Sequence, residues 1–328
     1  MSIQIQKQGL LDTIQDHGRY GYQHLGINPG GAMDTAAMRI ANALVGNQVN
    51  EPVIEMHFPA AEILFEQTVL IAFGGADLAA TINEQPVPVL RPLLVSKGSR
   101  LRFHKQSQGA SVYMAVHGGW EADQWLGSCS TNMEVKAGGF HGKPLRTNDR
   151  IALKHKKIFS VHNESQPFFL FPWWANTMSV YNTGNIRIIA GAEYEQLNQL
   201  SKQQLAHEPF VIQVQSNRMG YRLISKPLQR KESAELISTA ATRGTVQLLP
   251  NGQLIILMAD HQTTGGYPRV GHVISADIPS LAQKKSGEPV CFQVIDIKEA
   301  EQRAYEFEQN LQQLENACIF RLEAYLRR

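Results

Sequence analysis

The sequence predicts a mainly β protein with a few helices, built from antiparallel barrels or sandwiches and divided into two lobes. Three observations carry this. Short apolar runs split by turn residues recur in both halves of the chain. Gly (26) and Pro (15) are plentiful, and charged residues make up only 18% of the 328 positions, as in a turn-rich chain whose surface is largely packed or paired. Helical periodicity is confined to a few segments. The length corresponds to about two domains, and the expected lobes are 1–165 and 166–328, the second carrying a terminal helix.

The elements follow in order. Asp34 is placed as an N-cap, and Ala37, Ile40, Ala41, Leu44 and Val45 repeat at helical spacing before Gly46-Asn47, which predicts a helix over 34–45. Asn42 lies off that apolar stripe, so its amide is expected to face something other than the core. Ile63-Leu64-Phe65, the run 69–73, the run 78–82 and Leu93-Leu94-Val95 read as strands, with turns at Gly74-Gly75, Asn83-Glu84 and Lys97-Gly98. Residues 160–176, with Pro167, Pro172 and two Trp, form the candidate linker, and its aromatics are expected to pack it against the body. Residues 193–206 read as a short helix, and 210–215, 254–258 and 290–297 as strands. Gly98, Leu101 and Phe103 are echoed at one constant offset by Gly287, Val290 and Phe292, a hint of two similar lobes. Residues 298–326 are helical, with Ala304, Phe307, Leu311 and Leu314 on a face expected to dock on the body.

Several functions are disfavoured. The net charge is +2 with no basic stripe, which argues against nucleic-acid binding. No apolar run approaches the roughly 20 residues needed to span a bilayer, and residues 1–10 lack the layout of a signal peptide. Cys129, Cys291 and Cys318 are far apart and form no CxxC pair, which argues against a disulfide framework or structural zinc and fits a cytoplasmic location. The histidines are scattered, without HExxH, so no metal is expected. Residues 138–144 faintly resemble a phosphate loop, but Ala137 replaces its first glycine and Pro144 its magnesium-binding Ser/Thr; a hairpin turn is expected there. No GxSxG elbow occurs.

Three polar, glycine-rich segments remain. The first is Asp16-His17-Gly18-Arg19-Tyr20-Gly21 with Gly30-Gly31-Ala32-Met33-Asp34, in which Asp16 and Arg19 are placed either to bind a ligand or to pair with each other across the turn. The second is Ser216-Asn217-Arg218-Met219-Gly220-Tyr221. Arg218 suits either a carboxylate ligand or a structural acid such as Asp34 or Asp260, and Asn217 matches an amide edge. The third, Asp260-His261-Gln262-Thr263-Thr264-Gly265-Gly266-Tyr267-Pro268, leaves a buried strand and enters a double glycine. Its glycines permit positive φ and backbone N–H groups aimed at a carbonyl oxygen, or else form a tight turn bonded to itself.

These segments, with Ala41-Asn42-Ala43-Leu44-Val45-Gly46-Asn47, Leu126-Gly127-Ser128 and Ser130-Thr131, resemble the allophanate-hydrolase-subunit-2 family, also called biotin-dependent carboxyltransferase-like proteins. The resemblance spans about 9–295. It implies two cyclophilin-like β-barrel lobes. It also implies one of three roles. The first is membership of a bacterial 5-oxoprolinase complex that uses ATP to open 5-oxoproline to glutamate, alongside two partner proteins, one of LamB/YcsF type and one of KipI type. The second is the carboxyltransferase part of a urea carboxylase, fed by carboxybiotin on a separate carrier. The third is a KipA-like regulator that binds a KipI-like partner. Cys129 and His261 stand where relatives usually carry Arg. On this resemblance the Gly265 and Gly266 N–H groups and Thr264 meet a carbonyl oxygen and Asn217 holds the amide edge. Arg218 takes the substrate carboxylate or an anionic intermediate, and Asp260 or Asp34 accepts the proton. Asp16, Arg19, Asn42, His261, Thr263 and Tyr267 complete the expected substrate-binding set.

Overall fold

The computed structural model describes residues 2–155, 166–181, 184–232 and 236–326. The chain is mostly β, and it divides into two compact units. The first comprises 1–18, 34–178 and 310–328; the second comprises 19–33 and 179–309.

In the first unit, two six-stranded sheets enclose the core. One runs Arg150–Ala152, Ser2–Lys7, Glu62–Phe65, Arg100–Phe103, Ala80–Ile82, Gln85–Pro86. The other runs Phe168–Leu170, Leu93–Val95, Val69–Asp77, Gln108–Val116, Val53–His57, Asp12–Gln15. Alternation along each strand sends Ile3, Ile5, Ile63 and Phe65 inward from the first sheet and Ile14, Ile54, Phe73 and Met114 from the second. The predicted helix is present as Thr35–Leu44. The Asp34 side chain accepts from the Ala37 N–H at 2.9 Å, and Ala37, Ile40, Ala41, Leu44 and Val45 are fully buried. The helix lies so close to its sheet that a Cβ on Gly74 would sit 2.2 Å from the Ala37 carbonyl oxygen, so Gly74 is there for close approach.

The second unit is a nearly closed barrel. Its eight strands run Pro289–Val290, Phe210–Ile212, Gly220–Ile224, Leu254–Leu257, Thr245–Leu248, Arg269–Val273, Ile186–Ala190, Phe292–Ile295. The two outermost strands are separated in sequence by Cys291 alone, so one residue joins the two ends of the sheet. The sequence reads 290–297 as a single alternating strand; breaking it at Cys291 lets Val290 pair with Phe210 and Phe292 with Ile186. Ile186, Ile188, Phe210, Leu223, Val246, Ile256 and Phe292 fill the interior.

The internal echo has a structural counterpart in each unit. Gly98 and Gly287 both have positive φ (84° and 86°). Gly98 N–H donates to the Phe65 carbonyl at 2.7 Å and Gly287 N–H to that of Ile212 at 2.8 Å, and in each case an inward-facing strand follows. The terminal helix is Ile297–Leu326, with Leu311, Cys318 and Leu322 buried. Residues 193–206 contain a 3₁₀ turn, Tyr194–Gln196, and the helix Gln199–His207. Residues 138–144 form the expected turn: Gly142 N–H donates to the Gly138 carbonyl at 2.8 Å.

Two expectations concern the organisation of the chain. Of the candidate linker 160–176, residues 160–165 lie outside the described residues. The remainder is packed against the body, as its aromatics lead one to expect: Phe168–Leu170 pairs antiparallel with Leu93–Val95 as an edge strand of the first unit. The compact units also interleave where consecutive lobes, 1–165 and 166–328, are expected. Residues 166–178 count with the first unit through that strand. Residues 310–328 count with it too, and a bidentate Arg39–Glu315 ion pair (2.6 and 3.1 Å) fixes them there.

Candidate functional site

The site residues of the second unit are positioned by the strands Gly220–Ile224 and Leu254–Leu257. Their antiparallel ladder extends past both strand ends: Met258 N–H donates to the Met219 carbonyl at 3.0 Å and Asp260 N–H to that of Arg218 at 2.8 Å. Arg218 and Asp260 are thereby held side by side. The Arg218 Nε donates to Asp260 Oδ2 at 2.8 Å and its Nη2 to Oδ1 at 3.1 Å, while Nη2 also reaches the Gly31 carbonyl at 2.6 Å. Asn28 Nδ2 donates to the Asp260 carbonyl at 3.2 Å. Gly30 and Gly31 both have positive φ, and a Cβ on Gly30 would sit 3.0 Å from Arg19 Nη1 and 3.7 Å from Asp260 Oδ1. Two properties unique to glycine are therefore needed at this turn. Arg243 steadies the same loop by donating to the carbonyls of Ala32 (3.2 Å) and Met33. Parts of all three glycine-rich segments thus meet at the Arg218–Asp260 pair.

That arrangement revises several expected roles. Arg218 is 5% exposed and bidentate to Asp260, one of the structural acids expected as an alternative, so its fork is already engaged by a carboxylate of the chain itself. Asn217 is exposed, and its Oδ1 accepts from the Met219 and Gly220 N–H groups at 2.9 and 3.4 Å, a turn-forming task. The Gly265-Gly266 turn with positive φ is not what the chain forms. Neither glycine is among the positive-φ residues, and Thr264–Gly265 is extended, paired with Thr239–Ala240 in a short ribbon. Thr263 is nearly buried, and its carbonyl accepts from Ala241 N–H at 2.9 Å; Thr264 and Tyr267 are exposed.

His261 is only 2% exposed. Its Nδ1 lies 2.7 Å from the Gln262 carbonyl, which only accepts, so Nδ1 carries the proton and Nε2 keeps its lone pair. Burial pushes the imidazole pKa down, and the Arg243 cation adds to this against the opposing pull of the Gln262 hydrogen bond and Asp260. The result is a neutral imidazole with a bare Nε2, the arrangement of a proton acceptor. Burial also lowers the pKa of His272, whose Nδ1 is 3.4 Å from Thr245 Oγ1.

The candidates in the first unit have internal tasks. The Asp16 carboxylate accepts from Ser128 Oγ (2.6 Å), Ser130 Oγ (2.5 Å), Gly18 N–H (2.8 Å) and Cys129 N–H (2.6 Å), and so organises the 127–130 turn. Burial pushes the Cys129 thiol up to about 11, so it is not a thiolate at neutral pH. Asp34 caps its helix and donates its own N–H to Tyr113 Oη at 2.8 Å. Asn42 is fully enclosed: its Nδ2 donates to the Glu51 carbonyl at 2.7 Å and its Oδ1 accepts from Asn47 at 3.0 Å. Its off-stripe position is explained by this clamp.

Arg243 and Gln247 have no place in the sequence-derived set. Gln247 has a local signal, a polar residue between Val246 and Leu248 in an otherwise apolar strand. Arg243 has only a glycine, Gly244 with φ 90°, after it.

The second unit thus gathers its glycine-rich loops at one set of strand ends. The chain belongs to the family described as carboxyltransferase domain, subdomain A and B, which it matches over residues 25–294. It is 37% identical over 298 residues to the C subunit of 5-oxoprolinase from Escherichia coli (strain K12), covering 91% of this chain and 93% of that protein. It is 34% identical over 288 residues to the protein of the same name from Haemophilus influenzae, covering 88% and 89%. Among solved structures, the urea amidolyase of K. lactis superimposes with a TM-score of 0.85 at 24% identity. That match covers 95% of this chain but only 20% of the amidolyase, and the likeness is one of fold. Among the described residues no helix is long and apolar enough to cross a membrane.

Proposed function

We propose that this chain is the C-type component of an ATP-dependent 5-oxoprolinase and contributes the site that binds and opens the lactam of 5-oxoproline. The observation that carries this reading is the 37% identity to the Escherichia coli protein named as the C subunit of 5-oxoprolinase, sustained over 93% of that protein. A lactam site needs donors at the carbonyl oxygen, a partner for the ring N–H and a base for water. In this reading Thr264 and the Gly265-Gly266 backbone supply the donors. Asp260 and Asp34 are committed to Arg218 and to a helix cap; His261 Nε2 stands at the site as a neutral acceptor particular to this chain, since relatives usually carry Arg there, and is not the base shared by the family. Arg218, Asp260 and Arg243 position the loops. No step on this chain is routed through ATP: in the one segment resembling a phosphate loop, Lys143 is paired with Asp149 at 3.0 and 3.1 Å. ATP is assigned to the partner proteins.

The test is co-expression with the two expected partners, the LamB/YcsF-type protein and the KipI-type protein. A co-eluting assembly that releases glutamate from 5-oxoproline only with ATP is expected, and this chain alone should release none. A second reading, carboxyl transfer from carboxybiotin on a separate carrier to urea, draws on the fold likeness to the K. lactis amidolyase. Turnover of urea with a biotinylated carrier, and none of 5-oxoproline, would replace the first reading with the second. Tight binding to the KipI-type protein without any turnover would leave only a regulatory role.

A further inference from the structure

Strand Thr245–Leu248 alternates. Val246 and Leu248 belong to the barrel core, so Thr245 and Gln247 face outward. An outward glutamine is ordinarily hydrated, yet Gln247 is 1% exposed and neither its Oε1 nor its Nε2 has a hydrogen-bond partner. A buried amide without partners lowers stability by about 1–3 kcal/mol per group, so such groups in a native fold call for a reason. What covers Gln247 is Gly265. A Cβ there would lie 2.7 Å from Gln247 Nε2 and 3.7 Å from its Cδ. Since Gly265 has no positive φ, space above this carboxamide is what requires a glycine.

Gly265 also lines a cavity of about 320 Å³ together with Glu193, Thr239, Gly266, Tyr267 and Arg269. Arg269 is bidentate to Glu193 through Nε (3.1 Å) and Nη2 (3.0 Å), which leaves its Nη1 outside that pair. The cover itself is slight: Thr264–Gly265 pairs only with Thr239–Ala240, a ribbon of two residue pairs outside the eight-stranded sheet. Gln247 is the register partner of Arg269 and lies beneath Gly265, so its carboxamide adjoins two residues that line the cavity.

We infer that this cavity is the lactam subsite, and that Gln247 reads the substrate's amide edge. The inference rests on the reading that the chain binds a small amide. A primary carboxamide presents a C=O and an N–H on one edge. A ring lactam is held cis and presents the complementary pair on one edge, whereas an open-chain secondary amide is almost wholly trans and does not. Arg269 Nη1 faces the carboxylate of an amino-acid-derived lactam. The ligand class is therefore a small cyclic amide carrying a carboxylate.

The test combines binding and stability of the full chain. 5-Oxoproline, 2-pyrrolidinone (the same ring without the carboxylate) and N-methylacetamide (a trans amide) are titrated by ligand-observed NMR. Expected are binding in that descending order, a loss of about 10-fold or more for both lactams in Gln247→Leu, and equal binding of the two lactams in Arg269→Gln. Gln247→Leu should also raise Tm by about 2–4 °C, because the buried polar groups are removed; Gln247→Met repeats the measurement should the branched side chain not fit. Unchanged lactam affinity in a folded variant, a lowered Tm in both variants, or no lactam binding by the wild-type chain would each overturn the inference. If lactams bind in a Gln247-dependent way but the assembled complex releases no glutamate, the reaction reading fails and this one stands. If the complex is active and Gln247→Leu has an unchanged KM, this one fails alone.

Discussion

Each unit contains a buried Thr-x-Gln triplet in a strand, and the two are used differently. In the first unit, Thr13-Ile14-Gln15 sends Ile14 to the core, and Gln15 Nε2 donates to Thr13 Oγ1 at 2.9 Å while its Oε1 has no partner. In the second, Thr245-Val246-Gln247 sends Val246 to the core, yet Gln247 turns away from its threonine toward Gly265. Both glutamines are 1% exposed. The same contrast holds among the candidate site residues. In the first unit Asp16, Asp34 and Asn42 are tied into local turns and caps. In the second, both polar atoms of the Gln247 carboxamide are enclosed without a partner, and the His261 ring bonds through Nδ1. Burial alone does not mark a site.

The contrast is open to disruption at four places. The largest effect is expected at the Arg218–Asp260 pair. Arg218→Ala leaves Asp260 and the Gly31 carbonyl without the guanidinium, and should cost about 3 kcal/mol in chemical denaturation and at least about 10²-fold in turnover of the assembled complex. A variant with wild-type turnover would remove the positioning role.

Next is Asp12 in the first unit. It is 1% exposed, and burial pushes its carboxyl up to about 7 from 3.8, despite backbone hydrogen bonds from Ala61, His57 and Gly9 that work the other way. Between pH 3.8 and about 7 the unfolded chain ionises at this group while the folded chain keeps the proton. Stability should therefore fall as pH rises through that window, by roughly 4 kcal/mol, and level off above it. Asp12→Asn should flatten this slope in a series of Tm measurements. A slope unchanged in the variant would mean that another group carries it.

The glutamine pair gives the third test. Gln247→Leu should stabilise the chain by about 1 kcal/mol, whereas Gln15→Leu, which breaks the bond to Thr13, should gain less or lose. Equal shifts would erase the distinction between the triplets. The smallest effect is expected at the two echoed glycines. Gly98→Ala and Gly287→Ala meet nothing within 4 Å, but each places a Cβ at positive φ. Each should cost about 1 kcal/mol, and a marked inequality would weaken the equivalence of the two turns.

The elements legible in the sequence are those specified locally. The helix after Asp34 has its cap, its period and its stop within a dozen residues. Gly98 and Gly287 announce their turns because no other residue suits φ near 85°. What sequence reading misjudges depends on distant segments. A glycine required by conformation and one required by close approach look identical in sequence, so Gly265 is credited with the wrong reason. An outward strand position predicts solvent for Gln247, and only the ribbon at 264–265 removes the water. Asp260 reads equally well as base or brace until Arg218 is seen against it. His261 reads as one more substrate contact because its tautomer is fixed by a backbone carbonyl.

The single-residue seam at Cys291 has an implication for assembly. A strand at the rim of an open sheet offers unpaired N–H and C=O groups to any extended chain that passes. In the second unit the two rim strands are consecutive and short, and Ile186 N–H already donates to the Cys291 carbonyl at 2.8 Å. This hoop leaves no long main-chain template for another polypeptide to add to. Any contact that another polypeptide makes with the rim of this barrel would fall to side chains and loops, where single substitutions read out one contact at a time.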